Sequence, residues 1–383
     1  MNPGFSRLRV QGFRHLHDLD MPLAPVNVLI GANGVGKTSI LEVMRLLASS
    51  ADGELQKTIS MAGGLGSLKT YGRDEAMCLR LTMPVKDQGP VEYELALQTG
   101  GTGYQILKEA LTQQRGAKDM PFKHLEADAG NICYYDPRKK KLQRPEWEHN
   151  PLETSLAQVP KMFHEPEKFR VVLAGSTLYH VLDVSPRAPV RLPQMMQPAK
   201  LPGQDGEDLV SCLFYLRETD RDRFEDIEES LRVAFPFFER LEFPPVAAGS
   251  LALAWKETCY SKPFYAHQLS EGTLRFLWLV TLLQCPNLPT VTLIDEPEVS
   301  LHPEMLRLLV ELFREASMRT QLIVATHSDR LVSFLEPSEL VVCDLDETGG
   351  MKTTRANDLD LEHWLRDYSL DRLWEMGQLG GRA

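Results

Sequence analysis

Apolar and polar residues alternate from Ser6 to Val10, the run ends in Gln11-Gly12-Phe13-Arg14, and Leu19, Met21 and Leu23 alternate again before Pro25. A period of two puts every second side chain on one face, so this stretch predicts a β-hairpin. It leads into the apolar run Val26 to Ile30, which predicts a buried strand. The spacing then changes: Ile40, Leu41, Met44 and Leu47 share one face of a helix over 39–47. From Leu79 to Gln98 two alternating runs, LRLTMPV and VEYELALQ, flank the turn Lys86-Asp87-Gln88-Gly89-Pro90, which predicts a second antiparallel hairpin. Glu109 to Gly130 reads as polar and patternless, and Ile132 to Tyr135 as a short strand.

The second half has a different rhythm. Glu207 to Arg217 and Asp220 to Ala234 predict charge-rich helices, Leu209, Leu213 and Leu216 lie on one side, and the prolines at 186, 189, 193, 198 and 202 mark a loop. No heptad repeat persists, so no long coiled-coil arm is expected. Strands are then predicted at Leu251 to Trp255, Thr290 to Ile294, Gln321 to Ala325 and Leu340 to Asp344, with helices at Thr273 to Gln284 and Pro303 to Ser317. Strands alternating with helices imply an α/β fold with a mostly parallel sheet, preceded by N-terminal antiparallel hairpins. The expected division is an N-terminal part over 1–150, a helical insertion over 151–245, a C-terminal part over 246–350 and a tail over 351–383.

Composition narrows the class. The chain has 383 residues, 43% apolar and 25% charged, and no apolar run reaches the roughly twenty residues of a membrane span. MNPGFSRLRVQGF lacks a secretion signal, so a cytoplasmic, non-membrane protein is expected. The six cysteines are scattered without a C-x-x-C pair, which argues against a disulfide framework or a zinc site. A net charge of -11 leaves only a local patch for nucleic acid, and Arg138-Lys139-Lys140-Lys141 is the candidate.

The chemistry concentrates in a few stretches. Gly31-Ala32-Asn33-Gly34-Val35-Gly36-Lys37-Thr38 fits the G-x-x-x-x-G-K-[ST] phosphate loop, with a strand before it and a helix after it. Backbone N–H groups around Asn33, Gly34, Gly36 and Ser39 would cradle phosphates at a helix N-terminus. Lys37 would reach the β- and γ-phosphates and the Thr38 hydroxyl would ligate magnesium, which makes ATP and Mg2+ the expected cofactors. Val291 to Ile294 ends in Asp295-Glu296: Asp295 would hold the metal and Glu296 would polarise the attacking water. The strand before His327 would aim that ring at the γ-phosphate. Leu269-Ser270-Glu271-Gly272-Thr273 opens an amphipathic helix; Ser270 would serve as an ordinary N-cap or, with the Gly272 N–H, as an anion site.

Together these stretches resemble the ABC-type ATPases, in the soluble branch with SMC-like, RecF-like and OLD-like members. The phosphate loop, the signature at 269–273, the Walker B run ending Asp295-Glu296, the D-loop-like Ser300-Leu301-His302-Pro303 and the switch His327 occur in family order. Gly12-Phe13-Arg14 is similar to the F-R element, which implies a nucleotide contact for Arg14. Gln158 resembles the Q-loop glutamine, which implies a metal contact. The closing Leu373 to Gly381 resembles the tail of OLD-like ATPases. The 37 residues after Asp346 are too few for the Toprim nuclease domain of complete OLD proteins, and Asp344-Leu345-Asp346 is expected to be an edge hairpin.

The resemblance implies an ATPase head whose signature faces the phosphate loop of a second copy, so that Ser270 and Gly272 act in trans. The leading expectation is a homodimerising ATP switch for a separately encoded effector, such as a Toprim-type nuclease in anti-phage defence. The alternative is a RecF-like clamp that closes on DNA through Arg138 to Lys141. A transporter subunit or a simple P-loop kinase fits the signature and His327 less well.

Overall fold

The computed structural model describes residues 4–72, 76–101, 103–116, 120–128, 130–360, 364 and 368–380. Met1 to Pro3 and Gly381, part of the stretches considered at either end of the sequence, lie outside the described residues.

The alternating N-terminal runs form an antiparallel sheet. β1 (Arg7–Phe13) and β2 (Leu16–Pro22) make the first hairpin, and β3 (Val26–Gly31) then departs into a second sheet. β4 (Met77–Met83), β5 (Val91–Gly100), β6 (Gly103–Gln113), β7 (Phe122–Asp128), β8 (Asn131–Asp136) and β9 (Lys141–Gln143) complete the first, in the order β2-β1-β4-β5-β6-β7-β8-β9. Leu79 and Leu81 in β4, and Tyr93 and Leu95 in β5, are buried at every second position, as the alternation predicts.

The central sheet has the order β10-β11-β12-β3-β13-β14, built from β10 (Ser176–Tyr179), β11 (Val291–Asp295), β12 (Gln321–Ala325), β3, β13 (Leu340–Leu345) and β14 (Met351–Arg355). The first five strands are parallel and β14 runs antiparallel at the edge. Its strands read as apolar runs because both faces are covered. On one face Leu29, Leu293, Ile323 and Val341 pack against α1 (Lys37–Ala51) and the antiparallel sheet. On the other, Val28, Ile30, Ile294, Leu322 and Val324 meet α3 (Leu209–Thr219), α4 (Arg221–Ala234), α5 (Glu271–Gln284) and α6 (Pro303–Ala316). Each fully buried Leu or Ile contributes about 1.5–3 kcal/mol relative to exposure. α6 shows why the helices form here: Pro303 opens it, Glu304 sits in its first turn and Arg314 in its last, and Leu306, Leu309, Val310 and Phe313 make one buried face.

The fold is thus mixed α/β, with N-terminal antiparallel hairpins, a largely parallel central sheet and helical insertions. Three stretches differ from expectation. Glu109 to Gly130, expected to lack structure, supplies the end of β6 and all of β7; a register shift between Leu111 and Thr112 interrupts the two-residue period. Residues 151–245 hold α2 (His164–Ala174), α3 and α4, but also β10, the edge strand of the central sheet. Leu251 to Trp255 divides between two small sheets, as Ser250–Leu251 and Ala254–Glu257. Among the described residues no helix is long and apolar enough to cross a membrane.

Candidate functional site

Register fixes what meets at the carboxyl edge of the central sheet. Asp295 pairs with Ala325, Ala325 with Leu29, and Tyr179 with Ile294, so the residues that follow these strands share one rim. That rim is where open α/β sheets place their ligands.

Beyond β3 the chain turns through Gly31 to Gly36, and Gly36, at φ 115°, is the N-cap of α1. An L side chain is strained at that angle, which accounts for the glycine. Among the described residues the N–H groups of Gly34, Gly36, Lys37 and Thr38 have no protein acceptor. A helix N-terminus with free donors and a partial positive charge fits a polyphosphate. Lys37 is buried; its Nζ donates to the Gly31 carbonyl at 2.7 Å and the Ala32 carbonyl at 3.1 Å, and lies 3.4 Å from His327 Nδ1. Burial holds this ammonium below the ordinary lysine value, partly offset by Glu296, Asp295 and Glu298. Asn33, Gly34 and Thr38 are exposed on the loop, whereas Ser39 is turned into the core.

Asp295 closes β11, 3.5 Å from Thr38 Oγ1. Its carboxyl is raised above the ordinary range by burial, then by the neighbouring Glu296. Glu296 has a left-handed φ of 49° and its N–H donates to the Ala325 carbonyl at 2.8 Å, which turns the chain sharply at the rim. A non-glycine residue is uncommon in that region and costs about 1–3 kcal/mol, which the surrounding hydrogen bonds must offset. Glu296 Oε1 stands 3.8 Å from His327 Nε2. Burial, then Lys37, lowers the His327 imidazole below its ordinary value. Lys37, Thr38, Asp295, Glu296 and His327 therefore meet on one edge.

The signature is elsewhere. Ser270 caps α5, accepting from the Thr273 N–H at 3.1 Å, and is exposed. A Cβ on Gly272 would stand 2.4 Å from the Ser300 carbonyl oxygen, so only glycine fits there. Arg275 bonds the Ser300 hydroxyl and donates to the Leu182 carbonyl at 3.2 Å, tying α5 to the chain that follows the acid pair. Among the described residues no hydrogen bond or ion pair joins 269–273 to 31–39.

Gln158 does not join the site. Its Oε1 accepts from the Asn150 N–H at 2.7 Å, and its Nε2 donates to the carbonyls of Asn150, Glu153 and Thr154. The Thr154 hydroxyl donates to the Ser50 carbonyl at 2.6 Å, at the far end of α1, roughly 20 Å from Thr38 at 1.5 Å per helical residue. This amide stitches a loop together at the end of α1 away from Thr38. Arg14 is paired with Glu42, about one turn along α1 from Thr38. Arg138 to Lys141 lies in the exposed β8–β9 turn, at the last hairpin of the antiparallel sheet. Asp344 to Asp346 forms the β13–β14 hairpin, with Asp346 accepting from Thr348 and Gly350.

Two residues escaped the sequence reading. Glu298 Oε1 accepts from the His327 N–H at 2.8 Å, and burial raises its carboxyl. It stood two places beyond the acid pair and could have been read as part of it. His180 follows β10, and its Nδ1 lies 3.9 Å from Asp295 Oδ2. Only the brief apolar run Leu178-Tyr179 signalled that strand. Asp295, Glu296 and Glu298 all act electrostatically on one buried ammonium, an acidic excess that fits a divalent cation accompanying the nucleotide.

A family model described as "AAA domain, putative AbiEii toxin, Type IV TA system" matches residues 26–333. The OLD nuclease of Thermus scotoductus is 23% identical over 402 residues, spanning 98% of this chain and 68% of that protein. RecF, the DNA replication and repair protein of Pseudomonas savastanoi pv. phaseolicola, is 51% identical, but only over 43 residues, 11% of this chain and 12% of its own. Among solved structures, an SMC head bound to the C-winged helix domain of ScpA superposes with a TM-score of 0.58 at 14% identity, over 92% of this chain and 98% of that one. The last likeness is one of fold.

Proposed function

The chain belongs to this AAA-domain family and is a nucleotide-binding and hydrolysing ATPase domain, and on that premise we propose that it works as an ATP-sandwiched homodimer. The observation that carries the proposal is the separation of its two halves. Phosphate loop, acid pair and switch histidine share one rim, while Ser270 and Gly272 open α5 without a bond to that loop. A second copy would bring its signature to the γ-phosphate.

In this reading Asn33, Gly34, Gly36 and Ser39 present the loop backbone to the phosphates, and Lys37 leaves the Gly31 and Ala32 carbonyls for phosphate oxygens. Thr38 and Asp295 would hold magnesium, which when bound neutralises phosphate charge. Glu296 accepts a proton from the attacking water, and His327, neutral through burial, orients that water beside the γ-phosphate. Glu298 keeps His327 in place through its N–H. Arg14 is held by Glu42 and acts on the nucleotide only indirectly. The dimer would switch an effector; the likeness to an OLD nuclease supports a nuclease, and we propose one of the Toprim type acting in anti-phage defence. The exposed basic turn Arg138 to Lys141 supports a second reading, a DNA contact made by the antiparallel sheet.

Mixing tests the composite site. Lys37→Ala and Ser270→Arg chains should each be inactive alone, and together should recover a fraction of wild-type hydrolysis through one intact composite site. No recovery, with both variants folded, would contradict action in trans.

A further inference from the structure

His180 follows β10 directly, one residue after the Tyr179–Ile294 pair, so it stands level with Asp295 at the rim. The two oxygens of Asp295 face different donors: Oδ1 is 3.5 Å from the Thr38 hydroxyl and Oδ2 is 3.9 Å from His180 Nδ1. The imidazole is 55% exposed and borders an open cleft of about 380 Å³ with Arg45, Ser49 and Thr177. Among the described residues Asp295 is the one acid within 4 Å of its ring nitrogens, and the imidazole makes no hydrogen bond. Among the described residues no three His, Cys, Asp or Glu side chains are placed to hold a metal ion, so a cation here must share its shell with the nucleotide.

A hydroxyl and an imidazole set against the two oxygens of one carboxylate differ from an all-oxygen set. Mg2+ takes oxygen and water and dehydrates reluctantly; Mn2+ suits the same oxygen ligands but, as a first-row transition-metal ion, also accepts an imidazole nitrogen. We propose that His180 is a ligand for the nucleotide-associated cation, and that it shifts this site's preference from Mg2+ toward Mn2+. The inference rests on the nucleotide reading above.

The test uses the full chain with Mn2+ and a non-hydrolysable ATP analogue, read by electron spin echo modulation from imidazole nitrogen. Wild type and His327→Ala should both show the nitrogen modulation, and His180→Gln should lose it. In nucleotide-binding titrations His180→Gln should also lower the ratio of Mn2+-supported to Mg2+-supported affinity by about tenfold. Bound Mn2+–nucleotide without modulation in wild type, or modulation that survives in His180→Gln, overturns the assignment of His180 while leaving the nucleotide site standing. Absence of any bound Mn2+– or Mg2+–nucleotide complex in wild type overturns both.

Discussion

The carboxyl rim and the signature helix both carry residues that would act on one phosphate, yet the chain treats them differently. The rim is closed on itself: Lys37 bonds its own loop, Glu298 holds the backbone of His327, and Asp295 meets Thr38. At the signature, Ser270 is exposed and, among the described residues, its hydroxyl bonds within its own helical turn, while Gly272 packs on Ser300 behind it. A group that completes a site within its own chain is held by that site's neighbours. In the proposed dimer, Ser270 would serve a partner, and it is presented outward at a helix end.

The largest effect that would break this contrast is at Lys37. Lys37→Ala should weaken ATP binding by about 100-fold or more, measured by calorimetry, because the site's buried cation is removed. Ser270→Ala should do the opposite, lowering kcat by about 100-fold while leaving the ATP Kd of the monomer within about threefold. Equal losses of affinity in both variants would erase the distinction. Gly272→Ala should cost as much as about 3 kcal/mol in chemical denaturation, since a Cβ at 2.4 Å meets a backbone oxygen that cannot swing away.

A buried group remote from both regions gives the control. His124 in β7 bonds Gln113 at 3.0 Å, and burial, then Arg115, lowers its imidazole from 6.5 to about 4. The folded state keeps the ring neutral while the unfolded chain takes up a proton, so stability is full above pH 6.5 and falls as pH drops toward 4. The loss should be on the order of 2 kcal/mol after allowance for solvent screening. His124→Gln should flatten that slope and leave hydrolysis at neutral pH unchanged.

The parallel strands and the loop between β3 and α1 were legible because both faces of the sheet are covered and the phosphate loop has a fixed spacing. Asp295, Glu296 and His327 were legible for the same reason, since each ends a readable strand. β7 was not, because a bulge disturbs its period, nor was β10, whose four residues carry too short a pattern. That second gap touches the site: the resemblance assigns a metal contact to Gln158, whereas with β10 in place it is His180 that lies beside Asp295. Glu109 shows the same limit in the core. It reads as polar and is wholly buried, accepting from the Ser155 and Leu156 N–H groups and the Tyr93 hydroxyl, partners distant in sequence.

The most direct measurement of the central claim is the solution mass of Glu296→Gln with ATP and magnesium at micromolar concentration, by light scattering. With hydrolysis blocked and binding intact, the ATP-bound variant should have twice the monomer mass and return to the monomer when Lys37→Ala is added to the same chain. An ATP-saturated Glu296→Gln protein that stays monomeric would contradict the sandwich.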